Sequence, residues 1–320
     1  MTRVLVTGAT GFVGRVLVPA LIEAAHAVSV AVRDAADVGL PAQVRRHVVP
    51  DIGRDTEWRP ALEGVDAVVH LAARVHVMSD DARDPLTAFC RVNAEGTAAL
   101  ATAAMAAGVG RFVFVSTSKV MGEKNREGPF RETDAPAPED AYALSKWAGE
   151  KAVLDVCRQG RMQPVIVRPP LVYGPGAKGN MLALLKLCRM APPLPLAAVD
   201  NRRSLIAVAN LADALAVCVR HPKAAGQIYF VSDGEDISTP ELVRRLGAAL
   251  GRPAKLFPMP TAVLRYSALL VGQTAVAGRL IESLQVDDQK IRRELRWTPP
   301  VGMVKALGDM AAWFASRGVS

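Results

Sequence analysis

The chain begins "MTRVLVTGATGFVG", where a short apolar run meets three glycines, Gly8, Gly11 and Gly14, immediately ahead of a second apolar segment. Glycines at this spacing between a strand and a helix permit a tight turn. They also let backbone N–H groups approach a pyrophosphate lying at the positive end of the helix. The feature therefore predicts a strand–turn–helix unit that opens a dinucleotide-binding fold.

The rest of the first half is consistent with that start. "RVLVTG", "AVSVAV", "VRRHVV", "DAVVHLAA", "RFVFVS" and "PVIVRP" read as strands, separated by longer helix-like segments. Continuous apolar strands alternating with helices imply a parallel sheet covered on both faces. The expected fold is α/β, a Rossmann-type doubly wound parallel sheet with a smaller, interleaved C-terminal substrate-binding domain. After "RPPLVYGPGAKGN" the pattern becomes proline-rich and mixed, and "SLIAVANLADALAVCV" and "QIYFVSD" then return to core character. Residues 1–170, rejoined by 205–232, are expected to form the nucleotide-binding domain, and 171–204 with 233–320 the substrate-binding domain.

Composition narrows the class. With 320 residues, 50% of them hydrophobic and 22% charged, the chain has an ordinary globular make-up and room for about two domains. Lys and Arg exceed Asp and Glu by 39 to 31, a formal charge of +8. Without a recognisable nucleic-acid module, and with 5% aromatics, that surplus fits small phosphorylated ligands rather than nucleic acid.

Cys90, Cys157, Cys188 and Cys218 lie far apart and form no CxxC pair, so reduced thiols packed in helices are expected. The histidines are scattered, His70 and His76 being the nearest two, and no metal is expected. The start on "RVLVTG" leaves no space for a secretory leader, which makes the expected location cytoplasmic. "TAVLRYSALLVGQTAVAGRLI" is strongly apolar, but Arg265, Gln273 and Arg279 interrupt it; a buried or amphipathic helix is expected, with no integral membrane segment.

The second predicted strand ends on Val32 and Arg33, where dinucleotide-binding folds commonly place an acid that holds both adenosine ribose hydroxyls. Valine accepts no hydrogen bond, and the guanidinium of Arg33 is a planar fork of donors suited to a 2′-phosphate. NADP(H) is the preferred cofactor on this reading, with NAD(H) retained if Arg33 merely begins a solvated loop.

"AYALSKWAGEK" sets Tyr142 and Lys146 four residues apart, on one face of a helix. A free phenol titrates near ~10. A lysine charge at about 4 Å and an effective dielectric of ~20 is worth roughly 4 kcal/mol, enough to lower the phenol by up to about three pKa units. Upstream, "FVFVSTSKV" crowds Ser116, Thr117 and Ser118 at a strand end, where a hydroxyl can bond both the reacting oxygen and the phenol.

Together with "DAVVHLAA", "VNAEGT", "RPPLVYGPG" and "DDQKIRRELRWTP", these motifs make the chain resemble, over nearly its whole length, the extended short-chain dehydrogenase/reductase family in its nucleotide-sugar branch. The resemblance implies a catalytic trio of Thr117, Tyr142 and Lys146. It implies a cofactor site made by Gly8, Thr10, Gly11, Phe12, Val13, Gly14, Arg33, Asp51, Ile52, Leu71, Ala72, Ala73, Asn93, Tyr142, Lys146 and Pro169. It also implies that Thr117, Asn180, Arg203 and Lys290 meet the substrate, with Arg202 and Arg292 as weaker candidates, and that two helices mediate a homodimer.

Departures from the family pattern narrow the reaction. Dehydratases of the family carry an Asp-Glu pair after the catalytic hydroxyl, and here those positions are Ser118 and Lys119, so elimination of water lacks its acid and base. Epimerases of the family usually hold NAD and carry the ribose-binding acid that Val32 and Arg33 replace. Met121 and Leu171 also replace a tyrosine and an asparagine common near the sugar. The resemblance is strongest to a UDP-glucose 4-epimerase-like subgroup that includes 4-reductases of bacterial polysaccharide synthesis. It implies NADPH-dependent reduction of a UDP-4-keto-6-deoxy-N-acetylhexosamine to UDP-N-acetylquinovosamine. The alternatives are a UDP-hexose 4-epimerase with bound NAD and, from another class, a non-catalytic NADP-binding sensor or scaffold.

Overall fold

The computed structural model describes residues 1–34, 39–75, 84–270, 272 and 274–317. His76 and Gln273 lie outside the described residues. Seven parallel strands form the main sheet: β1 (Arg3–Thr7), β2 (Ala27–Val32), β3 (Arg45–Val48), β4 (Ala67–His70), β5 (Arg111–Val115) and β6 (Gln163–Arg168), with a later strand at one edge. After β7 (Leu171–Tyr173), β8 (Pro193–Leu194) and β9 (Arg203–Ala207), the chain returns as β10 (Gln227–Phe230), which pairs with β6. The sheet order is β10-β6-β5-β4-β1-β2-β3, so the chain builds outward from β1 in one direction and then reverses at β4. A crevice outside the carboxyl ends of β1 and β4 follows from that reversal.

The six runs expected as strands all form strands, because each offers apolar residues to both faces. Val4, Val6, Val30, Val69 and Val113 point into one core, which is completed by α1 (Gly14–Glu23) and α7 (Val208–Arg220). Leu5, Val68, Phe112 and Phe114 point into the other, against α2 (Arg59–Leu62), α4 (Thr97–Ala106) and α5 (Ala141–Arg158). Period-2 alternation thus serves two buried faces at once. "DAVVHLAA" stops being strand at His70, which frees Leu71–Ala73 to run as a loop beside the first turn.

A third core holds the C-terminal elements. It joins Tyr173, Leu205 and Ile237 of β7, β9 and β11 (Asp236–Ile237) to α6 (Gly179–Met190), α8 (Thr239–Ala249) and α12 (Met303–Ser316). β7, β9 and β11 make a three-stranded sheet, and β12 (Lys255–Leu256) pairs with β8. The apolar stretch near the C-terminus forms two helices, α9 (Thr261–Leu270) and α10 (Thr274–Ile281). α9 has no buried residue and packs Leu264 against this core, so of the two expected forms, buried or amphipathic, it takes the amphipathic one. All four cysteines are free thiols, and each lies in a helix: α3 (Pro85–Cys90), α5, α6 and α7. No helix among the described residues is long and apolar enough to cross a membrane.

Candidate active site

The turn after β1 is set by close backbone approach. Gly8 has φ +69°, and a Cβ there would lie 2.7 Å from the Ala72 nitrogen; one on Gly14 would lie 2.3 Å from the Gly8 carbonyl oxygen. Both contacts exclude any side chain. Gly11 donates its N–H to that same Gly8 carbonyl at 3.0 Å, and Arg15 Nε bonds the Thr10 carbonyl at 3.0 Å. Phe12 and Val13 complete the turn, and no side chain caps the start of α1. An uncapped, glycine-lined helix start is the arrangement that receives a phosphate. The residues of this turn therefore fit a dinucleotide pyrophosphate.

Beneath the turn runs a buried hydrogen-bonded chain that the sequence motifs did not reveal. Thr97 Oγ1 donates to the Asn93 carbonyl at 2.8 Å and so accepts from His70 Nε2 at 3.0 Å; His70 Nδ1 is left to accept from Thr7 Oγ1 at 2.6 Å. Thr7 Oγ1 in turn accepts the Ala72 N–H at 3.2 Å, and Leu71 N–H bonds the Thr7 carbonyl. The chain ties Leu71–Ala73 to β1 with one consistent tautomer. Burial, reinforced by the charge of Lys146, drives His70 down to about 3, so the imidazole stays neutral.

Asn93 sits in a π-helical turn, Arg91–Gly96. Its side chain accepts the Arg74 N–H at 2.8 Å and donates to the Arg74 carbonyl and to Ser145 Oγ, each at 2.9 Å. It is a clamp that fixes the loop after β4 against α5. Gly149 allows this approach, since a Cβ there would lie 2.4 Å from the Asn93 carbonyl.

Ser116, Thr117 and Ser118 leave the end of β5 and are all buried. Ser118 N–H bonds the Pro169 carbonyl at 2.8 Å, which places the end of β6 against this turn. The buried Ser116 hydroxyl has no hydrogen-bond partner among the described residues. Thr117 Oγ1 accepts the Lys119 N–H at 3.3 Å, and the Lys119 ammonium bridges Asp140 and, at 2.6 Å, Glu123. Asp140 is the N-cap of α5, accepting the Ala143 N–H at 2.6 Å. Thr117 is thereby linked to the helix start that carries Tyr142. Burial opposes the Lys119 charge, yet its bonds to Asp140 and Glu123 hold it above the ordinary lysine range.

Lys146 is buried, with its ammonium 4.0 Å from the centre of the Phe114 ring. The four-residue spacing predicts that its charge lowers the phenol of Tyr142. Instead burial, assisted by Asp140, raises Tyr142 to about 12, and burial lowers Lys146 to about 7 against the opposing pull of Glu150. For Lys146 desolvation outweighs the pull of Glu150, which is itself taken by Arg168, through Nη2–Oε2 at 2.6 Å and Nε–Oε1 at 3.0 Å in a buried ion pair. At neutral pH Tyr142 is a protonated donor.

The remaining expected residues divide. Arg33 is exposed directly beyond the end of β2. Asp51 carries an ion pair to Arg91 at 2.8 Å beside an open cleft of about 680 Å³, and a Cβ on Gly96 would lie 2.6 Å from Ile52 Cγ2. Asn180 accepts from Arg279 Nη1 at 3.3 Å. Arg203, half-buried and lowered chiefly by that burial, also feels the charges of Glu123 and Arg279, so α6, β9 and α10 converge. In the sequence Arg279 stands only as an interruption of an apolar run.

Lys290, in α11 (Gln289–Leu295), does not join that group: it donates to the Ile228 carbonyl at 3.1 Å and rests on the Tyr229 ring. Arg292 is held by both oxygens of Asp288 at 2.9 Å, and Arg202 is exposed.

Comparison with known proteins agrees with this geometry. Residues 4–232 match the model of the NAD dependent epimerase/dehydratase family. A UDP-glucose 4-epimerase of Vibrio cholerae is 42% identical over 316 residues, covering 97% of this chain and 95% of its own. A dihydroflavonol 4-reductase of Zea mays is 29% identical over 73% of this chain and 71% of its own. Among solved structures, a UDP-glucuronic acid 4-epimerase from Bacillus cereus in complex with NAD superposes with a TM-score of 0.80 at 20% identity, covering 99% of this chain and 98% of its own.

Proposed function

The chain belongs to the NAD dependent epimerase/dehydratase family, and from that premise we propose that it is an NADPH-dependent reductase of the C4 keto group of a UDP-4-keto-6-deoxy-N-acetylhexosamine, forming UDP-N-acetylquinovosamine for bacterial polysaccharide synthesis. The observation that carries the reading is Arg33 directly past β2, after Val32, where an acid would hold an unphosphorylated ribose. A site for the phosphorylated cofactor fits net reduction, which consumes a reductant in each turnover. When bound, the nicotinamide supplies the hydride.

The chain's own residues do the rest. Tyr142, protonated at neutral pH, donates to the C4 oxygen as negative charge grows there, and Thr117 bonds the same oxygen. Lys146 holds the cofactor ribose and stabilises the phenolate left behind. Lys119, locked to Asp140 and Glu123, stands where a dehydratase keeps a carboxyl group. Asn180 and Arg203, now with Arg279, receive the diphosphate. Residues 1–170 with 205–232 bind the cofactor, 171–204 with 233–320 bind the sugar nucleotide, and the protein acts in the cytoplasm as a homodimer.

One observation favours a second reading, a UDP-hexose 4-epimerase with bound NAD: the Vibrio cholerae relative bears that name at 42% identity. Oxidation of NADPH and of NADH by the purified chain, supplied with freshly generated UDP-4-keto-6-deoxy-N-acetylglucosamine, separates the two. The reductase reading expects rapid use of NADPH, a loss of about 10²–10⁴-fold in Tyr142→Phe, and weakened NADPH preference in Arg33→Glu. Interconversion of UDP-glucose and UDP-galactose without added cofactor, and no NADPH oxidation, would replace it with the epimerase.

A further inference from the structure

α9 has apolar residues on both sides. Leu264 packs against the C-terminal core, while Val263 (49% exposed), Tyr266 (64%), Leu269 (63%) and Leu270 (70%) face outward. Val263, Tyr266 and Leu270 stand at i, i+3 and i+7, with Leu269 beside them, so the outward residues form a single stripe. The approach to the helix adds Phe257, 41% exposed, in "FPMP". Large apolar groups gathered on one exposed face mark an interaction surface.

Charge indicates the partner. Residues 242–281 contain Arg244, Arg245, Arg252, Lys255, Arg265 and Arg279 and no Asp or Glu. Several of these cations are compensated by acids outside the segment: Arg244 by Glu241, Arg245 by Glu235 and Glu241, and Arg265 by Glu282 at 2.8 Å. Arg252 and Lys255 are exposed, precede Phe257 by only a few residues, and make no ion pair among the described residues. A two-fold contact between copies of this chain would bring Arg252 and Lys255 toward like charges, with no acid within residues 242–281 to offset them. A negatively charged surface would satisfy them.

We infer that the 252–270 segment is a peripheral docking surface for an anionic phospholipid membrane. The stripe of α9 enters the headgroup boundary, Tyr266 lies at the water interface, and Arg252 and Lys255 meet the lipid phosphates. The helix is too short to span, so attachment is reversible. This inference does not depend on which sugar nucleotide the enzyme takes.

Co-sedimentation of the full chain with vesicles of equal phosphatidylglycerol and phosphatidylcholine, and with phosphatidylcholine alone, tests it. Partition onto the anionic vesicles should exceed that onto the neutral ones about tenfold and fall as salt is raised. Tyr266→Glu/Leu270→Glu and Arg252→Glu/Lys255→Glu should each lower it about tenfold, with circular dichroism and thermal midpoint unchanged because all four side chains are exposed. Absence of sedimentation with either vesicle, or equal binding to both, overturns the inference. So does a concentration-dependent dimer that dissociates in Tyr266→Glu/Leu270→Glu while vesicles are ignored, which would make the face a subunit contact.

Discussion

Two helices begin at the crevice, and they begin in opposite ways. α1 starts on glycine with no side-chain cap, above a neutral chain of Thr7, His70 and Thr97. α5 starts on Asp140, which is capped onto Ala143 and bound to Lys119. The first start leaves N–H groups and positive potential for an anionic ligand. The second uses up its N-terminal potential internally and fixes the electrostatic setting of Tyr142, two residues into the helix. One junction leaves its helix end open, and the other is closed by its own side chains.

The sharpest break in that contrast is to give the α1 turn a side chain. Gly14→Ala puts a methyl group 2.3 Å from a backbone oxygen, and a forced backbone shift of about 1–3 kcal/mol should weaken NADPH binding by roughly 10–100-fold in a fluorescence titration. Unchanged affinity would mean that the turn does not carry the phosphates.

The neutral chain beneath that turn has its own signature at acid pH. His70 titrates near 3 in the folded chain and near 6.5 when unfolded, so the unfolded state binds the extra proton between those values. The stability it confers is complete above 6.5 and is lost as pH falls toward 3, on the order of 5 kcal/mol in all and roughly 3 kcal/mol of it by pH 4. Urea unfolding from pH 7 to pH 4 should show this slope, and His70→Asn should flatten it.

The α5 start responds more mildly. Asp140→Ala removes a cap and should cost about 1 kcal/mol, seen as a lowered thermal midpoint, whereas Asp140→Asn keeps most of the capping bond and should retain most of the stability. The smallest expected effect lies in the pH profile of the proposed reduction. Asp140 contributes to the raised phenol of Tyr142 and Lys119 neutralises Asp140, so Lys119→Met should move the alkaline limb upward by about half a unit, with Asp140→Asn in the same chain reversing it. A profile that does not move would leave Lys119 with a purely structural role.

Much of this was legible in the sequence. The strand runs, the glycine turn and the Tyr142–Lys146 spacing are local patterns, and each fixes a local geometry through periodicity or steric space. Lys290 and α9 were not legible. Lys290 lies in a recognisable C-terminal motif, but a backbone carbonyl and an aromatic ring on β10 hold it, and both are brought to it only by the fold. α9 has the composition of a buried helix, yet nothing among the described residues covers its outward side. The Tyr142 shift runs opposite to what the spacing predicts for a related reason: spacing gives the distance to a neighbouring charge, whereas desolvation depends on every element packed around the group.

By itself, then, the sequence determined a doubly wound parallel sheet, a dinucleotide turn without an acid at β2, and the residue types of the proposed trio, because each is written in residues close together along the chain. Only the tertiary structure decided that His70 is a neutral strut and that Lys119 locks the start of α5. It also decided that Arg279 joins Asn180 and Arg203 and that an apolar helix faces outward. Those outcomes depend on burial and on partners far apart in the chain, and neither quantity exists until the elements have packed.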